Sequence, residues 1–430
     1  MSADPGLAPY HSGPWPAEDG GPRRLQVPAG GPAGGPAEAP GVTGLEVTTR
    51  ADPLITMVVT GGPGEVFLLR HGLGDDAPAT VERIDPVTLE PLATSGELPG
   101  GPMWPGSLAA HGDGGLHVVF GNHAHRLGAD LTLEASVVLP RHRPYNGFVV
   151  LPDGTLVTKD FAGSRVLAPV APDEREPCEL VALDPADLTV LDRLVLPEPS
   201  IARLSALEDT VYVVGDTSLL RAGWDRSARR FVPDDGFVAT YRTLDGQTYG
   251  WDCVLALGAA WFLDDGDGTT GFDGSFEGRG ISTEPLHLVR VDLATGAVAL
   301  TEVCGRPGGL IANPPLIDPE RRIAVAFDSG NGVMAAFDIA DDGALTRRWE
   351  RRQNHAAHLL HLADRGLVLS GDFDRARGTE EVVLVDIASG TEVARADTGG
   401  PIQSTVFPAA GHDGALYWCS MAAVSRIALV

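Results

Sequence analysis

Val291-Asp292-Leu293-Ala294-Thr295-Gly296 and Val385-Asp386-Ile387-Ala388-Ser389-Gly390 repeat one pattern: an apolar residue, Asp, two variable residues, a hydroxyl residue and Gly. Ile84-Asp85-Pro86-Val87-Thr88-Leu89 and Leu183-Asp184-Pro185-Ala186-Asp187-Leu188 are close variants. Asp after an apolar run closes a turn through its own backbone. Apolar runs with small polar tails stand elsewhere in the same units. The tails are Phe120-Gly121-Asn122, Thr158-Lys159-Asp160, Val214-Gly215-Asp216, Leu263-Asp264-Asp265, Phe327-Asp328-Ser329, Ser370-Gly371-Asp372 and Trp418-Cys419-Ser420. Short strands recurring with a period of about 40 to 50 residues predict an all-β chain, a β-propeller.

The count sets the size of the ring. With strands named a to d from the axis outward, strand a begins near Pro105, Tyr145, Ile201, Gly250, Ile311, Asn354 and Ile402. A further unit at 54–95, with Glu65–Arg70 as strand b, brings the total to eight blades. Seven stays open if that first unit is irregular. The last unit has room for three strands, and Leu45–Thr49 is expected to supply the fourth and close the ring, leaving no free edge. Residues 1–42, rich in Pro, Gly and Ala with no strand or helix period, are expected to be a disordered leader. Residues 43–430 then form a single propeller domain. Residues 221–247 and Asp264–Glu284 exceed the period and are expected to be long loops.

Composition bounds the function. The 430 residues carry a net charge of −26, which argues against nucleic acid or an anionic membrane surface as partner. No stretch approaches the roughly 18 apolar residues of a membrane span. Four scattered cysteines without a Cys-x-x-Cys pair and a start without a secretory pattern point to the cytoplasm. Lys159 is the one lysine in the sequence. Arginine holds its proton where lysine releases it, so this position is singled out.

In an up-and-down blade the starts of the a strands and the ends of the b strands meet on one face of the disc, around an axial funnel. Small-molecule sites favour such concave places. Lys159, Asp160, His355 and Asp252 are the candidate catalytic groups, as acid, base or nucleophile. Trp104, Tyr145, Arg203, Tyr249, Trp251, His358 and Gln403 are the candidate substrate-binding groups. Asn146, Asn313, Asp328, Asp264 and Asp265 offer oxygen ligands for a divalent cation, Ca2+ or Mg2+. His123 and His125 share a strand face, a spacing that suits a metal pair.

The Val-Asp-x-x-Thr-Gly units resemble those of the quinoprotein and YVTN-type propeller superfamily over most of residues 45–430, at the level of the repeat. The resemblance implies the fold. Members that dock on pyrroloquinoline quinone repeat a tryptophan after Thr-Gly. Val291–Thr301 and Val385–Ala396 lack it, so no quinone is expected. The axial Asn and Asp set resembles the metal centre of gluconolactonase and paraoxonase propellers, whose metal-binding Glu has no counterpart here.

The expectation is therefore an enzyme for non-redox chemistry on a small molecule: a hydrolase, lyase, isomerase or cyclase, with a prenyl-type or other natural product among the substrate classes. The alternatives are a non-catalytic ligand- or protein-binding scaffold and, third, a quinoprotein-like oxidoreductase. The sequence names no protein partner.

Overall fold

The computed structural model describes residues 9–29, 41–162, 175–266, 269, 271–311 and 313–430. Among them, eight antiparallel sheets stand in a ring, one per blade, so the chain is an eight-bladed β-propeller.

Blade 6 shows why the sequence folds this way. It runs Leu316–Asp318, Ile323–Asp328, Val333–Ile339 and Leu345–Arg352 in order from the axis. Ile323–Asp328 reads Ile-Ala-Val-Ala-Phe-Asp and is buried throughout. Neighbouring blades cover both of its faces, so no polar alternation survives. The outermost strand, Leu345–Arg352, alternates half-buried and exposed residues and carries Arg and Glu.

Blade 8 closes the ring as expected. Ala423–Leu429 pairs with Leu45–Ala51, with Leu45 opposite Leu429 and Ala51 opposite Ala423. Blade 1 is the irregular unit. Its third strand, Ala77–Ile84, pairs first with Pro91–Thr94 and then with an additional strand, Leu98–Gly101. The excess at 221–247 is mostly strand rather than loop. Ser218–Asp225 and Arg230–Thr240 form a long outer hairpin of blade 4.

The repeated Asp phrase is a turn between the two outer strands. Asp292 Oδ1 accepts from the amides of Ala294 and Thr295 and from the Thr295 hydroxyl, and Gly296 takes a φ of 73°. Leu89 and Leu188 occupy the equivalent place at φ 64° and 62° and are fully buried. A left-handed Leu is strained by about 1–2 kcal/mol, and burying the side chain between blades offsets it.

The leader is corrected over residues 9–29. This segment lies in the bore of the ring, on the side of the a–b turns, and 14 of its 21 residues are buried, with Ser12 alone exposed. Its backbone groups bond to one blade after another. The amides of Thr60 and Ala110 donate to the carbonyls of Trp15 and Pro16, those of Ala206 and Leu255 to Pro22 and Arg23, and that of His361 to Gln26. Residues 1–8 and 30–40 lie outside the described residues. No helix among the described residues is long and apolar enough to cross a membrane.

Candidate functional site

Glu18, Asp19 and Arg24 of the leader meet Arg203, Asp252 and His358 of the blades in a buried network on the axis. Glu18 accepts from Arg24 Nη2 at 2.7 Å and from Arg203 Nη1 at 2.8 Å. Asp19 accepts from Arg24 Nη1 at 2.7 Å and pairs with His358 Nδ1 at 2.8 Å. Asp252 accepts from the Arg203 amide at 2.6 Å, and its other oxygen lies 3.7 Å from Arg24 Nη1. Three carboxylates face two guanidiniums and an imidazole, as buried charge requires. Burial raises the Asp19 pKa, but His358 and Arg24 outweigh it and hold the carboxyl below the usual range.

Asp19, Asp252 and His358 each bring one ligand atom to within 4.8 Å of the others. The Arg24 guanidinium already stands between the two carboxylates and supplies the positive charge, so we assign no metal there. The expected oxygen ligands are engaged separately. Asn146 Nδ2 donates to the Ile201 carbonyl, and Asn313 Nδ2 to those of Ala356 and Thr405. Asp328 accepts from the amides of Leu310 and Asn331 and from Asn331 Nδ2. Asp264 and Asp265 belong to blade 5, described below. Asp267 and Gly268 lie outside the described residues. His123 and His125 stack with centroids 6.0 Å apart, but their nitrogens bond the carbonyls of Gly100 and Pro99, clamping the additional strand of blade 1.

The expected catalytic groups do not converge. Lys159 and Asp160 are consecutive in a strand, so their side chains leave on opposite faces. Asp160 accepts from Arg141, Arg143 and the Glu179 amide and is a structural anchor. His355 lies between blades, its ring 4.5 Å from that of Phe327, with Nδ1 accepting from the Gly371 amide. Burial pushes its pKa down to about 3, so it stays neutral. Asp252 is held in the axial network.

The expected binding groups divide as well. Arg203 and His358 serve the leader. Tyr145 is fully buried, and its hydroxyl accepts from the Arg141 amide. Gln403 holds a loop: its Oε1 accepts from the Phe276 amide and its Nε2 donates to Asn354. That loop, over residues 271–284, reaches from blade 5 to the tops of blades 6, 7 and 8. Gly278 N donates to the Gly330 carbonyl, Asn354 Nδ2 to Ser275 Oγ, and Gln403 N to the Gly274 carbonyl.

Trp104, Tyr249 and Trp251 do come together. Phe161, Ile201 and Tyr249 form a buried cluster with Trp104 and Trp251 packed on it, half-buried. Trp104 stacks on Phe161 at 4.3 Å and lies 6.3 Å from Trp251. The Arg175 guanidinium sits 4.3 Å over the Tyr249 ring.

Two titratable groups flank this cluster. Lys159, two residues before Phe161, is 1% exposed and donates from Nζ to the carbonyls of Asp160 at 3.0 Å and Ser200 at 3.1 Å. Among the described residues no carboxylate stands within ion-pair distance of it. Burial holds its pKa below the usual lysine range. On the other side, Asp265 accepts from the Thr248 amide at 3.1 Å and from Ser282 Oγ at 2.9 Å. Burial, and then the neighbouring Asp264 carboxylate, push its pKa up to about 7. Asp264 accepts from Gln247 Nε2 and from the His287 amide, and meets His287 Nδ1. Burial opposes it, but the bond to Asp264 raises the His287 pKa. Gly266 is required beside them, since a Cβ there would lie 2.6 Å from Trp251 Nε1.

Sequence reading missed Glu18, Asp19 and Arg24, which carry no periodic signal. It also missed Phe161, whose place one residue past a b-strand tail was the available signal.

No family model matches the chain, and no curated protein matches it. Solved structures do. BamB from Moraxella catarrhalis is 13% identical at a TM-score of 0.52, covering 89% of this chain and 97% of its own. A quinohemoprotein alcohol dehydrogenase from Pseudomonas putida is 11% identical at a TM-score of 0.58, covering 97% of this chain and 80% of its own. The computationally designed Ika8 protein is 12% identical at a TM-score of 0.55, covering 89% and 98%. At such identities the likeness is one of fold alone. The resemblance seen in the repeats thus holds at the level of architecture, and by fold the chain is an eight-bladed β-propeller.

Proposed function

We propose that the aromatic cluster between blades 2 and 5 is a site for acid–base chemistry on a small molecule with an apolar or aromatic body. One observation carries the reading. The cluster is flanked by a buried amine with no carboxylate partner among the described residues and by a buried carboxyl whose pKa is near neutrality. Pairs of groups pushed away from their ordinary pKa values in opposite senses suit general acid–base work. Lys159 is the base or carbonyl nucleophile and Asp265 the acid, which places the reaction among lyases and isomerases. The reading gives no role to a quinone or a divalent ion.

Lys159 makes the test clean, because it is the one lysine in the sequence. The protein is incubated at pH 7 with benzaldehyde and cyanoborohydride, then mapped by mass spectrometry. A lysine of depressed pKa attacks the carbonyl, loses water to give an imine and is trapped by reduction as a secondary amine. Lys159 is expected to be alkylated in the folded protein. Modification of the α-amino group alone would overturn the reading. A second reading, a protein-binding ring, draws support from the leader, which satisfies the axial charges internally. It expects substitutions on exposed turns, and none at the cluster, to weaken partner binding.

A further inference from the structure

We infer that the bore of the ring is a recognition site for an extended peptide segment that bears two adjacent carboxylates and an arginine, and that residues 9–29 are its ligand in cis. The segment is held as a ligand is held. Each blade is built from ladders of consecutive pairs, whereas the leader's sole ladder-type contact among the described residues is the isolated bridge between Tyr10 and His111. Beyond that bridge, its backbone bonds to the ring come one each from Thr60, Ala110, Ala206, Leu255 and His361, and five more lie within the segment itself.

Charge is complementary across the boundary. The wall's Arg203 and His358 take Glu18 and Asp19, and the wall's Asp252 faces Arg24. Two aromatic anchors complete the fit, as in peptide interfaces. Trp15 is fully buried in the core cluster that blades 1, 2, 7 and 8 share, and Tyr10 Oη accepts from the Val150 amide at 2.7 Å. The conformation is one that a free chain seldom adopts. Asp19, Arg24 and Gln26 have φ of 52°, 55° and 60°. Such strain persists where the surroundings over-determine it. Without the segment, Arg203 would lose Glu18 and His358 would lose Asp19. The site therefore selects two adjacent carboxylates followed by an arginine on an extended, turn-rich segment.

The test keeps the whole chain. A protease site is inserted within residues 30–40, the folded protein is cleaved, and a fluorescent synthetic peptide of residues 9–29 is added. Linkage in cis hides the affinity behind a high effective concentration, and cleavage removes it. The leader fragment is expected to co-elute with the ring and to exchange with the labelled peptide below the melting temperature. A peptide carrying Glu18→Gln and Asp19→Asn is expected to compete at least about tenfold more weakly, since bonds to charged groups are the strong ones. A fragment released only on unfolding would make the segment integral core and overturn the inference. Equal competition by the substituted peptide, or no uptake of the labelled peptide, would overturn it too. The experiment leaves Lys159 and Asp265 untouched, so its failure is separate from that of the aromatic-cluster reading.

Discussion

Asp265 sits at a φ of 60°, a backbone region that Asn tolerates well. Its two oxygens serve the Thr248 amide and the Ser282 hydroxyl, and an Asn amide satisfies both places. The Asp265→Asn variant therefore keeps the geometry and removes the charge. The folded-state pKa, about 7, lies above the unfolded value near 3.9. The folded protein thus holds the extra proton, and wild-type stability falls as pH rises through that window. The substituted amide does not titrate. The variant is expected to be more stable than wild type at pH 8, by a few kcal/mol at most, with the advantage gone near pH 4. Urea unfolding at pH 4.5, 6 and 8 measures it, and a difference independent of pH would refute the assigned proton. At this scale the sequence was least legible. Lys159 and Asp160 were both placed correctly at the end of a b strand, but the pleat sends one toward Ser200 and the other toward Arg141 and Arg143. Which neighbour lies on either face depends on adjacent blades, which local spacing does not encode.

Strands and turns were the most legible elements, because their period is local. The Asp phrase marks the outer turn of its blades, and the continuous apolar runs mark strand b. Where the phrase ends in Leu instead of Gly, local preference and packing oppose each other. Leu188 is strained at φ 62° yet fully buried. Removing a buried Leu side chain destabilises by about 2–5 kcal/mol, and relieving the left-handed strain returns about 1–2 kcal/mol. The Leu188→Gly variant is expected to lose about 0–4 kcal/mol net on those figures, read from urea unfolding. An increase in stability would show that strain rather than burial dominates these turns. His355 illustrates the limit of element-level reading. The a strand of blade 7 is Leu360–Leu362, so alternation along residues 355–361 does not hold and does not place the histidines.

The ring as a whole follows from counting. The eight units and the closing strand were both readable, because a missing fourth strand at one end and a spare strand at the other complement each other. The leader was not readable. Its hydrogen bonds go to many strands far apart in sequence, and Pro and Gly in such a path leave no period to detect. Arg24 is the strongest test of its role. It bonds Glu18, Asp19 and the Leu204 carbonyl from a buried position. Removing one partner of a buried charged network costs about 3–5 kcal/mol. The Arg24→Met variant should show that loss, and adding Glu18→Gln and Asp19→Asn should recover part of it, because three carboxylates no longer share a site that has lost one of its two guanidiniums. Strict additivity of the three substitutions would show that the network is not coupled.

Leu45 pairs with Leu429, a separation of 384 residues (429 − 45). The first strand of the ring to be synthesised is therefore completed by the last. At translation rates of about 5–20 residues per second, the closing strand waits roughly 20–80 s for its partner. Through that interval the leader and the closing strand are nascent chain without a native edge or bore to occupy. The ring therefore closes after translation of its last strand, and until then the first strand of the ring has an unpaired edge.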